Sequence, residues 1–244
     1  MIDRSGSRSR LGIIVLGSLT AIISILIFNS LVLFVKADNI NPGIYSKDSN
    51  PSGVSYGGWI AKWWLWTMGI PSGEHPRDHF SQQTCSVHQS GPVWFLADLL
   101  SGKQERTCTI PAGKAILVPM LTGNCDADGT TPGAPASESD PALIQCAIAG
   151  DQYGVISASL DGRQLQNLQQ YRTATGFFNL VVPNDNAYSN KPGTWRAYSE
   201  GFFVFLEPLP PGNHDLHLTT SVFNPYNVSY NYSADLTYHL IIQP

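Results

Sequence analysis

Glu74, His75, Asp78 and His79 fall within six residues of one another, and His88 follows nine positions on. Carboxylates and imidazoles at that density can ligate a metal or share acid and base work in a hydrolysis. Glu-His-Pro-Arg-Asp-His lacks the H-E-x-x-H spacing, however, and Pro76 prevents a helix from placing these groups on one face. A solvated loop is the simpler reading; His75, Asp78, His79 and His88 are the residues to use if the protein is an enzyme. A second cluster, Asn124-Cys125-Asp126-Ala127-Asp128-Gly129, offers oxygen ligands at alternate positions before a glycine, as a calcium loop does. Pro135 stands where an EF-hand needs its glutamate, so calcium would need an irregular site, with Asn124, Asp126 and Asp128 as ligands and Glu138 or Asp140 completing the shell. An Asx-rich turn is the plainer alternative.

Two further signals are weaker. Gly53-Val54-Ser55-Tyr56-Gly57 matches the G-x-S-x-G string, but the elbow works only where a strand turns sharply into a helix, and a Pro/Asn/Ser stretch precedes it here; Ser55 is more simply a helix N-cap or a linker residue. His217 and His239 share the polar faces of neighbouring strands, and a register of 217 with 239 would set them opposite each other. Asn227-Val228-Ser229 and Asn231-Tyr232-Ser233 are N-glycosylation sequons at Asn227 and Asn231.

These groups must be positioned by a mainly β domain. Trp59, Ile60, Trp63, Trp64 and Met68 recur at three- and four-residue spacing, which predicts a short helix stopped by Gly69 and Pro71. Trp59, Trp63, Trp64 and Trp66 exceed what one apolar stripe requires; packing across a sheet is the expectation, with membrane contact or an aromatic platform for a carbohydrate as the sharper readings. Downstream, alternation of period two predicts strands at 93–97, 106–110, 114–120, 155–160, 177–182, 202–206, 213–222 and 234–242. A second short helix opens at Asp140-Pro141 and presents Leu143, Ile144, Ala147 and Ile148 on one face. Strands with one buried and one wet face, and no βαβ series, predict an antiparallel β-sandwich or jelly-roll-like domain with two short helices.

Leu11 to Val35 is a 25-residue run without a charged side chain, behind Arg4, Arg8 and Arg10 and closed by Lys36. At about 1.5 Å per residue it exceeds a hydrocarbon core of about 30 Å, so one N-terminal transmembrane helix is expected, with its basic flank in the cytoplasm. The organisation read from the chain is a cytoplasmic basic segment (1–10), an anchor (11–36), a flexible linker (37–55) and an extracellular domain (56–244). Val35-Lys36-Ala37 resembles a signal-peptidase site, so cleavage after Ala37 would instead give a secreted product; the length of the run favours the anchor.

Without residues 1–37 the chain keeps 10 basic and 17 acidic residues, a net charge near −7, which makes nucleic acid a poor partner. Only 13% of the chain is charged, against roughly 25% on average. In an exported region, Cys85, Cys108, Cys125 and Cys146 point to two disulfides, because zinc would prefer closely spaced pairs. Three connectivities are open, and the local one, Cys85 with Cys108 and Cys125 with Cys146, is expected.

The block Trp59…Trp63-Trp64-Leu65-Trp66, then Gly91-Pro92-Val93-Trp94-Phe95-Leu96-Ala97, Cys108-Thr109-Ile110-Pro111-Ala112-Gly113-Lys114-Ala115 and Leu209-Pro210-Pro211-Gly212-Asn213-His214 resembles an uncharacterised family of exported bacterial and archaeal proteins. The resemblance runs from about Tyr56 to Ile242 and implies an exported globular domain, with no activity attached. The functional expectation is a membrane-anchored extracellular binding or structural module of the cell envelope, whose ligand is open and includes carbohydrate; the alternative is an exported hydrolase or metal-dependent enzyme using the His75 to His88 region.

Overall fold

A computed structural model describes residues 41, 43–128, 139–226, 228 and 231–244. The expected anchor, the expected cleavage position at Ala37, Glu138 and Asn227 lie outside these residues. Among the described residues, no helix is long and apolar enough to cross a membrane.

Among the described residues, nine strands form two sheets. One has the order β1 (Val93–Phe95), β3 (Ala115–Asp126), β7 (Gly193–Leu206), β6 (Arg172–Val182); the other runs β2 (Gly102–Pro111), β9 (Tyr232–Gln243), β8 (Gly212–Val222), β4 (Gly154–Leu160), β5 (Arg163–Gln164). Both sheets feed one apolar core: Ile116, Leu117, Phe203 and Phe205 from the first, and Leu216, Leu218, Leu236 and Leu240 from the second, are all 1% exposed or less. The alternation expected in β8 and β9 is present, with Leu216, Leu218, Leu236, Tyr238 and Leu240 inward.

Two pairings depart from the antiparallel expectation. β1 runs parallel to β3, and β2 runs parallel to β9 over ten residues, from Gly102 opposite Ala234 to Pro111 opposite Gln243. Inward and outward side chains alternate identically in both kinds of pair, so the sequence carries no signal that separates them. The Pro111-Ala112-Gly113 turn forms as expected, but it carries the chain from the second sheet to the first, with Gly113 at φ +82°.

Among the described residues, three short α-helices accompany the sheets. α1 (Tyr56–Met68) is capped by Ser55, whose Oγ accepts from the Gly58 N–H at 3.2 Å, so the G-x-S-x-G serine is a cap. α2 (Gln82–Cys85) was not expected; a capping box closes it, Ser81 Oγ accepting from Thr84 N–H and Thr84 Oγ1 from Ser81 N–H. α3 (Asp140–Ala149) starts with Pro at its first turn, as read, but of its apolar face only Leu143 and Ala147 are fully buried.

All four tryptophans of α1 are buried, between 0 and 8% exposed, and each indole N–H has an acceptor: Pro51 O for Trp59, Leu96 O for Trp63, Ser199 Oγ for Trp64 and Val87 O for Trp66. Only Lys62 and Leu65 of this helix are exposed, which is why one stripe does not account for its aromatics. Trp63 meets Phe203 edge-on at 5.6 Å, and Trp59 meets Phe205 at 6.2 Å. Gly57 permits the close seating of α1 on β6, since a Cβ there would lie 2.3 Å from Ala174 O.

The described part of the expected linker is not a free tether. Ile44 is fully buried and bridges to Leu206, Tyr45 N–H donates to Phe205 O, and the Asn41 amide exchanges hydrogen bonds with the Gln166 backbone. Isolated apolar residues among Asn, Ser and Pro carry no periodicity, so the sequence could not show that they add to the edge of the core.

Both disulfides have the local connectivity, Cys85–Cys108 and Cys125–Cys146, each with Cα atoms 5.9 Å apart. The first fastens α2 to β2, and the second fastens α3 to β3.

A candidate ligand cleft over a buried polar chain

His75, Asp78, His79 and His88 do not assemble. His75 is fully buried, whereas Asp78, His79 and His88 are exposed, and neither principal cleft of the molecule includes any of the four. Asp78 pairs with its neighbour Arg77 at 3.0 Å, and His88 sits in a tight turn at φ 52°. The solvated-loop reading therefore describes three of them, and His75 needs a different account.

Its ring is locked in one tautomer. Nδ1 accepts from the Arg77 backbone N–H at 3.1 Å, so the proton is on Nε2, which meets Thr67 O and Oγ1, both at 3.0 Å. Thr67 Oγ1 then contacts the Tyr188 hydroxyl at 2.9 Å, and Tyr188 donates to Asp98 Oδ1 at 3.1 Å. Donors and acceptors in this run of Arg77, His75, Thr67, Tyr188 and Asp98 all point one way. Burial, helped by the Arg77 charge, lowers the His75 pKa to about 4. At the other end burial raises Asp98 to about 6, against the opposing pull of Arg77.

Arg106 supports the same region from β2. It is 2% exposed and donates to Asp98 O, the Tyr238 hydroxyl, Arg77 O and Gln104 Oε1, with its guanidinium against the Phe80 ring. Sequence reasoning passed over this residue, although it shares its strand face with Cys108 and Ile110, and a charge at an inward position is a signal. Asp98 and Tyr188 carried no such signal; they meet only because the loop after β1 and the loop after β6 fold onto the end of α1.

Asp98 also lines the larger cleft, which has a volume of about 550 Å³. Its walls come from the β1–β2 loop (Asp98, Leu99, Ser101), the second half of β3 from Pro119 to Asp126, Cys146 and Gly150 at α3, and the facing ends of β8 and β9 at Val222, Asn231 and Tyr232. β3 slips register against β7 between Pro119 and Leu121, a bulge that re-aims its side chains. Thr220 of the second sheet donates to Met120 O at that bulge and so ties the sheets beneath the cleft. Cys125–Cys146 borders the cavity, and Gly123 lets α3 approach, a Cβ there falling 2.5 Å from Ala147 O.

The expected calcium segment is part of this wall. Asn124 and Asp126 belong to strand β3 rather than to a loop, and the Asp126 carboxylate already accepts N–H groups from Asn124, Asn190 and the Asp128 backbone. Asp128 accepts from Lys191 N–H, and Asp140 pairs with Arg196 at 2.7 Å. Among the described residues no group of three His, Cys, Asp or Glu side chains is set to hold a metal. Burial, with Asp128 adding to it, raises the Asp126 pKa. Asn124 Oδ1 is shut from water and has no donor.

His217 and His239 are not opposite each other. The register pairs His217 with Thr237 and Asp215 with His239, a two-residue offset from the expectation, and each imidazole takes a carboxylate: Asp235 at 2.8 Å and Asp215 at 2.7 Å. The offset follows the β8–β9 loop, whose length alternation alone does not fix. Asn231 is exposed at the cleft rim, with Oδ1 accepting from Asn224 N–H.

No family model matches the chain, and no curated protein does. Among solved structures, the solution structure of Amebosin is similar over 58% of this chain and 99% of its own, at 14% identity and a TM-score of 0.17, a likeness that carries no argument.

Proposed function

We propose that this is an exported binding module of the cell envelope, held on the membrane by residues 11–36, with its ligand seated in the cleft between the β1–β2 loop, β3 and the ends of β8 and β9. On this reading the two sheets are the layers of a β-sandwich or jelly-roll-like domain. The observation that carries it is the cleft: it falls in the size range of small-molecule sites, and apolar Leu99, Met120, Leu121 and Val222 share its wall with a few polar groups. The enzyme alternative loses its support with the dispersal of His75, Asp78, His79 and His88. Two disulfides suit an oxidising compartment outside the cell.

The test is ligand-observed NMR on the full-length chain in micelles, screened with small polar and amphipathic molecules, simple carbohydrates included. Ser101 is exposed at the rim, and Ser101→Trp fills the mouth of the cleft. Molecules that bind the native chain and lose their signal with Ser101→Trp support the reading. A screen in which no bound molecule responds to that substitution refutes it.

A further inference from the structure

We infer that the cleft selects a small organic cation, an ammonium group on an apolar body, with its N–H donors directed at Asp98 and the Asn124 amide oxygen. This deepens the binding reading above and rests on it. The first ground is charge: among the described residues, the ionisable side chains on the wall are Asp98, Asp126 and Tyr232, with no Lys, Arg or His. An anionic ligand would meet the two carboxylates first, because the nearest cations, Arg77 and Arg106, lie behind Asp98 in the buried chain and not on the wall.

The second ground is the balance of donors and acceptors. Asn124 Nδ2 donates to Asp126 Oδ2, which fixes the orientation of the amide and leaves Oδ1 as a buried acceptor without a donor. Tyr232, also on the wall, spends its proton on Leu99 O and so has none to offer a ligand. An ammonium brings three donors and no lone pair, whereas a sugar brings a lone pair with every proton and would leave acceptors facing acceptors. A bare metal ion fits less well, because the Asp126 oxygens are already taken up by N–H groups. Third, the apolar wall of Leu99, Met120, Leu121 and Val222 suits a hydrocarbon body.

The experiment is an isothermal titration of the full-length chain in micelles with n-butylammonium chloride, and with n-butanol, glucose and calcium chloride as separate arms. The expected result is saturable n-butylammonium binding at least tenfold tighter than n-butanol. Asp98→Asn, which keeps an acceptor for Tyr188, should weaken n-butylammonium about tenfold or more, the scale of a lost charge-assisted hydrogen bond, and leave n-butanol unchanged. Asn124→Ala leaves the His75 to Asp98 chain intact, so it decides the matter if Asp98→Asn does not fold, and it should weaken n-butylammonium severalfold.

Binding of n-butanol or glucose as tight as n-butylammonium, and abolished by Ser101→Trp, would keep the cleft as a site and overturn the cation. Calcium binding abolished by Ser101→Trp, with n-butylammonium inert, would overturn it in favour of a metal. Tight n-butylammonium binding that survives Asp98→Asn, Asn124→Ala and Ser101→Trp would place the cation elsewhere and overturn the assignment. No Ser101-dependent binding in any arm would overturn both the cation and the cleft.

Discussion

Replacing His75 by Gln should change how stability depends on pH in a way that isolates this one ring. Its pKa is about 4 in the folded protein and about 6.5 in the unfolded chain. In that window the unfolded chain binds the proton and the folded protein does not, so the His75 contribution is fully present above about 6.5 and is lost as pH falls toward 4. With about 1.36 kcal/mol per unit, the loss at pH 5 relative to pH 7 is about 2 kcal/mol. Asp98 and Asp151 act in the opposite sense: burial raises both to about 6, so each takes up its proton earlier when folded and adds stability as pH drops from about 6 toward 4. The native profile therefore sums terms of both signs, and only the difference between native and variant reports the histidine. At pH 7 His75→Gln should cost about 1–3 kcal/mol for imperfect replacement of the hydrogen bonds to Arg77 and Thr67. Urea unfolding with the disulfides intact, repeated at pH 5, should find that gap smaller by about 2 kcal/mol. A gap that stays constant from pH 7 to pH 5, or a His75 imidazole signal, identified by its loss in His75→Gln, that titrates near pH 6.5 in the native protein, would refute the argument.

Trp63→Ala should cost about 3–5 kcal/mol, since the ring is fully buried and its N–H is paired with Leu96 O; calorimetry showing a loss under 1 kcal/mol would remove the helix from the core. Gly57→Ala should lower the melting temperature by several degrees because its Cβ meets Ala174 O, while Gly73→Ala, which meets nothing within 4 Å, should leave it nearly unchanged. Non-reducing peptide mapping should recover Cys85 with Cys108 and Cys125 with Cys146, and replacing Cys85 and Cys108 together by Ala should cost about 3 kcal/mol by the loop-entropy estimate.

Much of the fold is legible wherever a local rule acts alone. Alternation found β8 and β9, spacing found the tryptophan helix, Pro141 marked the start of α3, and an even count of cysteines without metal-site spacing led to both bridges. The rest depends on which strand lies beside which. The parallel partner of β2 is more than a hundred residues away, and the two-residue offset of His217 and His239 is set by a loop. The candidate site is harder still, because Asp98, Asn124, Cys146, Val222 and Tyr232 come from five separate elements and converge only in three dimensions. His75 drew attention as a metal ligand for its type and its neighbours, yet its burial, invisible in a polar stretch of sequence, makes it a neutral link in a hydrogen-bond chain.

The insertion of β9 between β2 and β8 has a kinetic consequence. β8 and β9 can zip as neighbours in the chain, but β2 must wait for β9, since Gly102 and Ala234 are about 130 residues apart. As the chain emerges from its N-terminal side, β2 spends that interval with an unpaired edge, while Cys85 and Cys108 are already available to join it to α2. Oxidation of this pair before β9 arrives would hold the waiting strand against its own helix and shorten the search for its partner. Refolding from the reduced chain should accordingly be slower, and more prone to aggregation, than refolding with Cys85–Cys108 closed.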